Sequence, residues 1–368
     1  FAVISSDAGH AMEKGPIGGG VFGIDPQARI DYGYNAVASL TPMAKSLIKT
    51  YYGKMPDKSY IVGTSNGGRH AMVTAARIPE QYDGYLASAP GFNLPKAAVA
   101  QLWGVQQYAP ISKTAPATGR PDVTTSFSLA DLQVVGNAII GKCDGLDGLM
   151  DNMVMDTRKC QATFKIETDV PTCSGAADGK CLTAGQKKVL AAVHAGAKNK
   201  AGEALYTSFP WDPGVHSPGW RTWKFANSTG PRDPLAVGFI FMTPPVSPQV
   251  LTGEGNTLID FVLAFNVDTD APKIYATNNT YTESAISFMT PPEPTILSKF
   301  VTNNRKMIVV HGAADPVFSI NDTISWYEGF EAWHGKNTAN MIRLFIVPRM
   351  SHSRGGPAAD QFDAVDAL

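Results

Sequence analysis

The sequence lacks any apolar run near the roughly 20 residues that a membrane-spanning helix needs, so we expect no membrane partner. It also lacks a basic excess, since 31 Lys and Arg face 32 Asp and Glu and leave a net charge of −1. Proteins that bind nucleic acid need such an excess to neutralise phosphates, so nucleic acid is not expected as a partner either. Charged residues make up only 17% of the chain and hydrophobic residues 44%. That balance excludes a disordered chain and indicates a large buried core.

The two ends of the chain lack ordinary boundary signals. The sequence has no initiator Met and no signal-like segment at its start. Residues 1–5 predict a short apolar strand already under way, and residues 362–368 predict a helix that is cut short. We therefore expect a domain trimmed at both ends, with any targeting information outside this sequence.

Cysteine is scarce, with four residues at positions 143, 160, 173 and 181. None lies in a CxxC motif and no histidine cluster accompanies them, which argues against zinc. Two local disulfides fit better, most simply between sequence neighbours, although four cysteines allow three connectivities. Disulfides predict an oxidising compartment, hence a secreted or periplasmic protein, and buried free thiols in a cytosolic protein are the alternative.

The order of predicted elements indicates an α/β fold in one interrupted domain. Strands are predicted at 59–63, 85–88, 306–311 and 341–348, and helices at 28–52, 67–78 and 320–333. The first helix shows apolar residues at helical spacing on one predicted side: Ala36, Leu40, Met43, Leu47, Ile48 and Tyr51. Residues 1–92 and 296–368 form the predicted catalytic core, and residues 93–295, rich in Pro, Gly, Asn, Thr and Trp, form a predicted lid insertion.

A G-x-S-x-G motif lies between the strand predicted at 59–63 and the helix predicted at 67–78. Such a turn pushes its serine, Ser65, into an exposed and strained position above a helix N-terminus. Gly63 and Gly67 are expected to remove Cβ atoms where strand and helix would collide. The backbone N–H of Asn66 is the expected oxyanion donor. The alternative is a glycine-rich turn that merely ends a strand.

An acid and a base follow in the order that this arrangement requires. Asp315 comes just after the strand at 306–311, and His352 comes just after the strand at 341–348. Because the carboxyl ends of parallel strands meet at one edge of a sheet, we expect both residues near Ser65. Asp315 would orient the imidazole and His352 would take the serine proton. Asp322 is the competing acid, in a less suitable helical setting, and the other histidines lack this placement.

The segment from Cys143 to Met153 carries three carboxylates within eight residues. Asp144, Asp147 and Asp151 would repel one another unless a cation neutralised them, and hard oxygen ligands suit Ca²⁺. The spacing is not that of an EF-hand. A solvated acidic turn is the alternative.

These motifs together resemble the tannase and feruloyl esterase family of α/β-hydrolases. The matching segments run along the whole chain: 5–10, 28–34, 63–69, 82–85, 143–153, 311–315 and 350–357. The resemblance implies an α/β-hydrolase core sheet flanked by helices, with a large lid between the serine helix and the acid strand. It also implies a Ser–His–Asp esterase, no organic cofactor, and a small ester of an aromatic acid as substrate.

The resemblance extends to the metal and the disulfides. It implies a structural calcium held by Asp144, Asp147 and Asp151 with backbone oxygens of Leu149 and Met153. It implies the pairings Cys143–Cys160 and Cys173–Cys181.

The sequence departs from the family pattern at two places. Thr64 and Ser353 stand where the family has a disulfide between the nucleophile and the histidine. The family also has further strands that would precede Phe1, and a loop among them usually supplies the second oxyanion donor.

Candidate substrate contacts are Trp211, Trp220, Trp223 and Arg221, with Phe239, Phe241 and Arg232 as further possibilities. The favoured alternative is that the aromatic residues belong to the packed interior of the insertion and the arginines to its solvated surface. A general serine hydrolase or peptidase, and a calcium-stabilised binding protein with little or no catalysis, are the alternative functions. The sequence does not indicate an oligomeric state.

Overall fold

A computed structural model describes residues 2–11 and 13–368 of the chain. Among these residues there are six strands: β1 Tyr60–Thr64, β2 Gly84–Ser88, β3 Lys113–Thr114, β4 Pro121–Asp122, β5 Lys306–Gly312 and β6 Ile342–Val347. Four of them form a parallel sheet in the order β1-β2-β5-β6, and β3 pairs with β4 in a separate antiparallel ribbon. The parallel arrangement places the carboxyl ends of β1, β2 and β5 at one edge.

Sixteen α-helices accompany these strands in the described residues. Three precede or immediately follow β1: α1 Pro26–Ile30, α2 Ala36–Tyr52 and α3 Asn66–Arg77. Ten lie between β2 and β5: α4 Leu94–Tyr108, α5 Leu129–Cys143, α6 Thr157–Thr163, α7 Ile166–Asp169, α8 Ala184–Ala195, α9 Pro218–Arg221, α10 Arg232–Leu235, α11 Thr257–Ala264, α12 Ala285–Met289 and α13 Ser298–Thr302. Three follow β5: α14 Ile320–His334, α15 Thr338–Met341 and α16 Ala364–Ala367. None of the described helices is both long and apolar enough to cross a bilayer.

Short helical turns of other types join these helices. The π-helical turns are Asp31–Asn35, Thr222–Asn227 and Ala236–Phe241. The 3₁₀ turns are Val21–Ile24, Pro79–Gln81, Ala109–Ile111, Val123–Thr125, Asp144–Asp147, Pro213–His216, Ala271–Tyr275 and Gly335–Asn337. The turn at Asp31–Asn35 joins α1 to α2, so residues 26–52 form one nearly continuous helical rod.

Apolar packing on the sheet positions the helices that matter for the site. Side chains of α3 and α14 pack against β2 and β5 in one cluster, which includes Ala71, Met72, Tyr85, Val309, Trp326 and Phe330. A second and larger cluster joins the helices of the insertion, with Leu102, Leu132, Leu190, Phe225 and Phe288 among its members. Because β2 and β5 are buried on both faces, they are apolar runs rather than alternating strands.

The predicted α/β order is confirmed, with one exception at the start. The strands predicted at 59–63, 85–88, 306–311 and 341–348 are β1, β2, β5 and β6, and the helix predicted at the end of the chain is α16. The strand predicted at 1–5 is wrong for residues 2–5, which form no strand, and Phe1 lies outside the described residues.

The apolar side predicted for the first helix is partly exposed. Met43, Leu47 and Tyr51 are exposed by 58%, 63% and 79%, whereas Thr41 and Ala44 are buried. The helix approaches the sheet through polar contacts instead: the Thr41 hydroxyl lies 2.6 Å from the Tyr82 hydroxyl. Apolar spacing alone could not reveal which side of the helix makes this contact.

Two disulfides tie the insertion locally. Cys143 pairs with Cys160 and Cys173 pairs with Cys181, as the family resemblance implied. The first bond connects the end of α5 to α6, and both of its residues are buried. The second closes a loop just before α8.

Removing the two disulfides should lower the stability of the fold by different amounts, because they close loops of different length. Closing a loop of about 15 residues stabilises a fold by about 3 kcal/mol through the entropy of the unfolded chain, and a shorter loop contributes less. The separations are 17 residues for Cys143–Cys160 and 8 for Cys173–Cys181. We expect the double variant Cys143→Ala/Cys160→Ala to lose about 3 kcal/mol in urea unfolding, and Cys173→Ala/Cys181→Ala to lose less. A larger loss at the second pair would contradict this account.

Candidate active site

Ser65 occupies the sharp turn between β1 and α3. Its backbone has φ 61° and ψ −119°, a region that residues with a side chain rarely adopt and that stores strain. The Ser65 N–H donates to the carbonyl of Ser88 at the end of β2, at 2.9 Å. The serine is therefore held at the carboxyl edge of the sheet, directly before the first turn of α3.

Two glycines allow β1, α3 and the end of β2 to approach so closely. A Cβ on Gly63 would lie 2.2 Å from the backbone of Gly67, and one on Gly68 would lie 2.5 Å from the Ser88 carbonyl. A Cβ on Gly67 itself would meet nothing within 4 Å. The expectation that Gly67 is needed for space is wrong, because its Cα faces open space and Gly68 makes the close contact.

A buried arginine fixes the first turn of α3 behind the serine. Arg69 Nε donates to the Asn66 side-chain carbonyl at 2.7 Å, and its terminal nitrogens donate to the carbonyls of Tyr32 and Gly33, both at 2.8 Å. Burial lowers the pKa of Arg69, but only to about 10. The guanidinium therefore stays charged at neutral pH. The first N–H groups of a helix have no partner within the helix, which leaves the Asn66 N–H available to a ligand oxygen.

Asp315 and His352 meet Ser65 at this edge. His352 Nε2 lies 2.8 Å from Ser65 Oγ, and His352 Nδ1 lies 2.8 Å from Asp315 Oδ2. A carboxylate only accepts hydrogen bonds, so Nδ1 carries the proton and Nε2 is free to accept from the serine hydroxyl. This order of hydroxyl, imidazole and carboxylate can deprotonate the serine as it attacks a carbonyl carbon.

The Asp315 carboxylate is buried but fully hydrogen-bonded. Its Oδ1 accepts from the N–H groups of Val317 and Phe318 at 2.8 and 3.0 Å, and its Oδ2 accepts from His352 and from a second histidine, His311, at 3.2 Å. Burial alone raises the pKa of Asp315, but the His352 charge and the imidazole hydrogen bonds outweigh it and hold the pKa below the ordinary value. The carboxylate therefore remains ionised. The sequence gives no reason to assign His311 to the site, because it lies within a predicted strand and its spacing does not show which residue its side chain contacts.

Aromatic rings enclose the imidazole of His352. Trp223, from the insertion, packs edge-on at 4.7 Å between ring centroids, and Phe318 does so at 5.3 Å. The Arg232 guanidinium lies 4.8 Å from the Trp223 ring but is paired with Asp233 through both nitrogens of its fork. Trp223 is the substrate candidate that the fold brings to the site.

The other substrate candidates lie elsewhere. Trp211 stacks on His194 at 3.7 Å and Trp220 is only 4% exposed, so both belong to the interior of the insertion. Arg221 donates to the carbonyls of Phe127 and Thr124. The remaining two, Phe239 and Phe241, are fully buried.

The loop that carries His352 is held without a disulfide, since its neighbour Ser353 replaces the expected cysteine. Asp212, from the insertion, accepts from the backbone N–H of Arg349 at 3.3 Å and from that of Gly214 at 2.7 Å. The Arg349 side chain donates to the Asn152 carbonyl at 3.1 Å. Burial raises the pKa of Asp212 to about 6. The insertion thus supports the histidine loop from two sides.

Comparison with known proteins identifies the family. The family model described as tannase and feruloyl esterase matches residues 1–368. The chain belongs to this family. It is 37% identical to a mono(2-hydroxyethyl) terephthalate hydrolase of Piscinibacter sakaiensis over its whole length, and 25% identical to a probable feruloyl esterase B-1 of Neosartorya fischeri over 98% of its length. It spans only 64% and 61% of those two relatives.

Solved structures of the tannase and feruloyl esterase family share the fold. Feruloyl esterase B from Aspergillus oryzae superposes with a TM-score of 0.68 at 23% identity, covering 89% of this chain and 59% of that one. Tannin acyl hydrolase from Aspergillus niger gives a TM-score of 0.65 at 20% identity, covering 93% and 62%. The α/β-hydrolase fold expected from the sequence is therefore confirmed.

The acidic loop partly fits the calcium that the family resemblance implies. Asp144 is 3% exposed, and its Oδ1 is buried without a hydrogen-bond partner among the described residues. Asp147 and Asp151 accept from backbone N–H groups of their own loop, at 3.0 Å in each case. In the described part of the chain, these three carboxylates do not form a group within 4.8 Å of one another.

A second candidate metal group can be excluded on chemistry. Cys173, Asp178 and Cys181 place ligand atoms within 4.8 Å of one another. The two sulfurs are joined in a disulfide, however, and a disulfide offers no thiolate to a metal.

The lowered pKa of Asp315 predicts a specific sensitivity to acid. A carboxyl group with a lowered folded-state pKa stabilises the fold above its unfolded value of about 3.9, and this contribution disappears as the pH falls through the folded-state value. We expect the unfolding free energy of the wild type to fall below about pH 4 more steeply than that of Asp315→Asn. Urea titrations across the acid range measure both slopes.

Two other carboxyl groups act in the opposite sense. Burial raises the pKa of Asp212 and Asp322 to about 6, so both lose destabilising charge on acidification. They are common to both proteins and cancel in the comparison. Parallel slopes for wild type and Asp315→Asn would show that Asp315 is not held ionised by its partners.

Proposed function

We propose that this chain hydrolyses carboxylic esters of aromatic acids through an acyl intermediate on Ser65. The observation that carries the proposal is the continuous contact from Ser65 Oγ through His352 to Asp315, with 2.8 Å at both steps. Membership of the tannase and feruloyl esterase family supports the same chemistry. Asp315, His352 and Ser65 are the proposed catalytic residues.

In the first half-reaction, Ser65 Oγ attacks the ester carbonyl and its proton passes to His352 Nε2. The negative charge on the carbonyl oxygen is stabilised by the Asn66 N–H at the start of α3, where the helix dipole favours an anion. Asp315 stays ionised and stabilises the imidazolium. The tetrahedral intermediate then breaks its bond to the alcohol oxygen, which leaves with the proton from His352.

In the second half-reaction, water attacks the acyl-enzyme. His352 Nε2 takes one proton from that water as its oxygen bonds to the acyl carbon, and Asn66 again faces the oxyanion. Collapse breaks the bond to Ser65 Oγ, which regains its proton from His352, and the free acid leaves. No external oxidant, reductant or organic cofactor is needed.

An aromatic acyl group is favoured by what lies beside the imidazole. The rings of Trp223 and Phe318 pack edge-on against the His352 ring, with centroid distances of 4.7 and 5.3 Å. Aromatic rings gain energy from edge-to-face and offset contacts beyond simple burial. The relatives named for terephthalate and feruloyl esters support the same substrate class.

We also propose that residues 93–295 act as a lid on the core formed by 1–92 and 296–368. The insertion supplies Trp223 beside His352, and it supplies Asp212 to the backbone of the histidine loop. Both contacts join the insertion to the proposed catalytic residues, so its packing should affect catalysis as well as stability.

The proposal includes a structural calcium in the loop from Cys143 to Met153. The observation that supports it is the buried Asp144 Oδ1, for which the described part of the chain offers no donor and which a cation would satisfy. Asp147 and Asp151, with backbone oxygens of Leu149 and Met153, would complete the ligands. A small aromatic ester as partner and an extracytoplasmic location complete the proposal, the latter because the two disulfides suit an oxidising compartment.

Removing the proposed nucleophile tests the function directly. We expect Ser65→Ala to lose about 10⁶-fold in kcat on methyl ferulate, methyl gallate and mono(2-hydroxyethyl) terephthalate, the loss typical of a triad serine. Ser351→Ala is the matched control, because the buried Ser351 hydroxyl has no hydrogen-bond partner in residues 2–11 and 13–368. Initial rates by chromatography of the released acid provide the measurement.

The result also separates the alternative functions. Comparable turnover by Ser65→Ala would eliminate the mechanism. Faster hydrolysis of long aliphatic than of aromatic p-nitrophenyl esters would indicate a general hydrolase. Binding of an aromatic ester without turnover by either protein would indicate a binding protein.

Metal removal tests the acidic loop. A cation that binds only the folded state at 100 times its Kd stabilises that state by about 2.7 kcal/mol. We expect a chelator to lower the Tm of the wild type, and added Ca²⁺ to restore it. Asp144→Asn should show neither response. Asp178→Asn, in the loop closed by Cys173 and Cys181, is the control and should behave as wild type. An unchanged wild-type Tm under chelator would refute the calcium proposal.

A further inference from the structure

The carboxylate of Asp315 is contacted by two histidines rather than one. His311 lies on β5, and its Nε2 is 3.2 Å from Asp315 Oδ2, the same oxygen that accepts from His352. The side chains of His311 and Asp315 are both completely buried. The contact is therefore shielded from water and is not an incidental surface pair.

The neighbours of His311 fix where its proton sits. Nε2 also lies 3.0 Å from the Phe318 carbonyl, so both groups near this nitrogen are acceptors, and Nε2 must carry the proton. Nδ1 lies 2.9 Å from the hydroxyl of Thr323, which can donate to it. His311 is thus oriented as an N–H donor towards Asp315, and Thr323 holds the ring at its other nitrogen.

The position of His311 explains what this donor does. Oδ1 of Asp315 is held by the N–H groups of Val317 and Phe318, which belong to the same loop as Asp315. Of the two donors to Oδ2, His352 lies in the loop after β6 and exchanges a proton during the proposed reaction, whereas His311 lies within the strand β5. His311 is therefore the donor that ties the carboxylate plane to the rigid core, independently of the state of His352.

We propose that His311 is a positioning residue that fixes Oδ2 of Asp315 for its hydrogen bond with His352. It touches neither the substrate nor the nucleophile and acts through Asp315 alone. The inference rests on the proposed serine mechanism and adds a fourth side chain to it. Partners that orient metal-ligating side chains typically change activity by about 10- to 100-fold when they are mutated, and we expect a loss of the same order here.

Two substitutions at position 311 separate the donor from the shape of the ring. His311→Leu fills similar space without a donor, whereas His311→Gln keeps an N–H near the place of Nε2. We expect the leucine variant to lose about 10- to 100-fold in kcat, with KM within about twofold, and the glutamine variant to recover most of this loss. The rate at which a fluorophosphonate probe labels Ser65 should fall and recover in parallel.

A double-mutant cycle tests whether His311 acts through Asp315. In an Asp315→Asn background, His311→Leu should cause little further loss in labelling rate, because the group it positions is already altered. Thr323→Val keeps the shape of the side chain but removes the hydroxyl that contacts His311, so it should lower the labelling rate less than His311→Leu does. It replaces His311→Leu in the cycle if that variant folds poorly. An equal further loss in the Asp315→Asn background would overturn the proposal.

The remaining outcomes are equally decisive. Wild-type rates in His311→Leu, or a glutamine variant as impaired as leucine at unchanged Tm, would also overturn it. Because the probe reports on Ser65 without any ester substrate, labelling of wild type without ester turnover would refute the proposed substrate while leaving the role of His311 measurable. Absence of Ser65 labelling in the wild type would refute both.

Discussion

The chain passes from β1 into α3 within a single residue, and the geometry of the site depends on that turn. Ser65 adopts a backbone conformation with φ 61° because Gly63 and Gly68 let the strand, the helix and the end of β2 approach without Cβ atoms between them. The serine hydroxyl then lies 2.8 Å from His352 Nε2, at the edge of the sheet where the loops after β5 and β6 deliver Asp315 and His352. Parallel strands are what bring together three residues that are up to 287 positions apart.

Buried charges hold this edge together and join it to the insertion. Arg69 is bound by backbone carbonyls behind the serine helix, and Arg29 donates to the carbonyls of Phe239 and Met242 from the insertion. Asp212 accepts from the backbone of the histidine loop. A buried charge is tolerated only when it is hydrogen-bonded, so each of these contacts specifies one arrangement of core and insertion. Because the four cysteines pair within the insertion, such contacts, and not a disulfide, join the histidine loop to the rest of the protein.

Much of the fold and part of the site could be predicted because they depend on local spacing. Strand and helix order, the serine turn, and the order of acid and base all follow from short motifs. The pairing of four cysteines was left open by spacing, and family resemblance supplied it. The exposed side of α2, the role of Gly68 and the contact of His311 with Asp315 depend on which surfaces meet in three dimensions. The residues around Met43 and His311 in the sequence do not show that Met43 is exposed or that His311 contacts Asp315.

The central claim is that Ser65 forms a covalent acyl intermediate, and trapping that intermediate tests it most directly. The protein would be mixed with p-nitrophenyl ferulate at low temperature, quenched in acid within the first turnover, digested and mapped by mass spectrometry. The account predicts one feruloyl group per chain, on the peptide that contains Ser65, and none in Ser65→Ala. An acyl group on another residue, or release of product with no adduct and no dependence on Ser65, would contradict it.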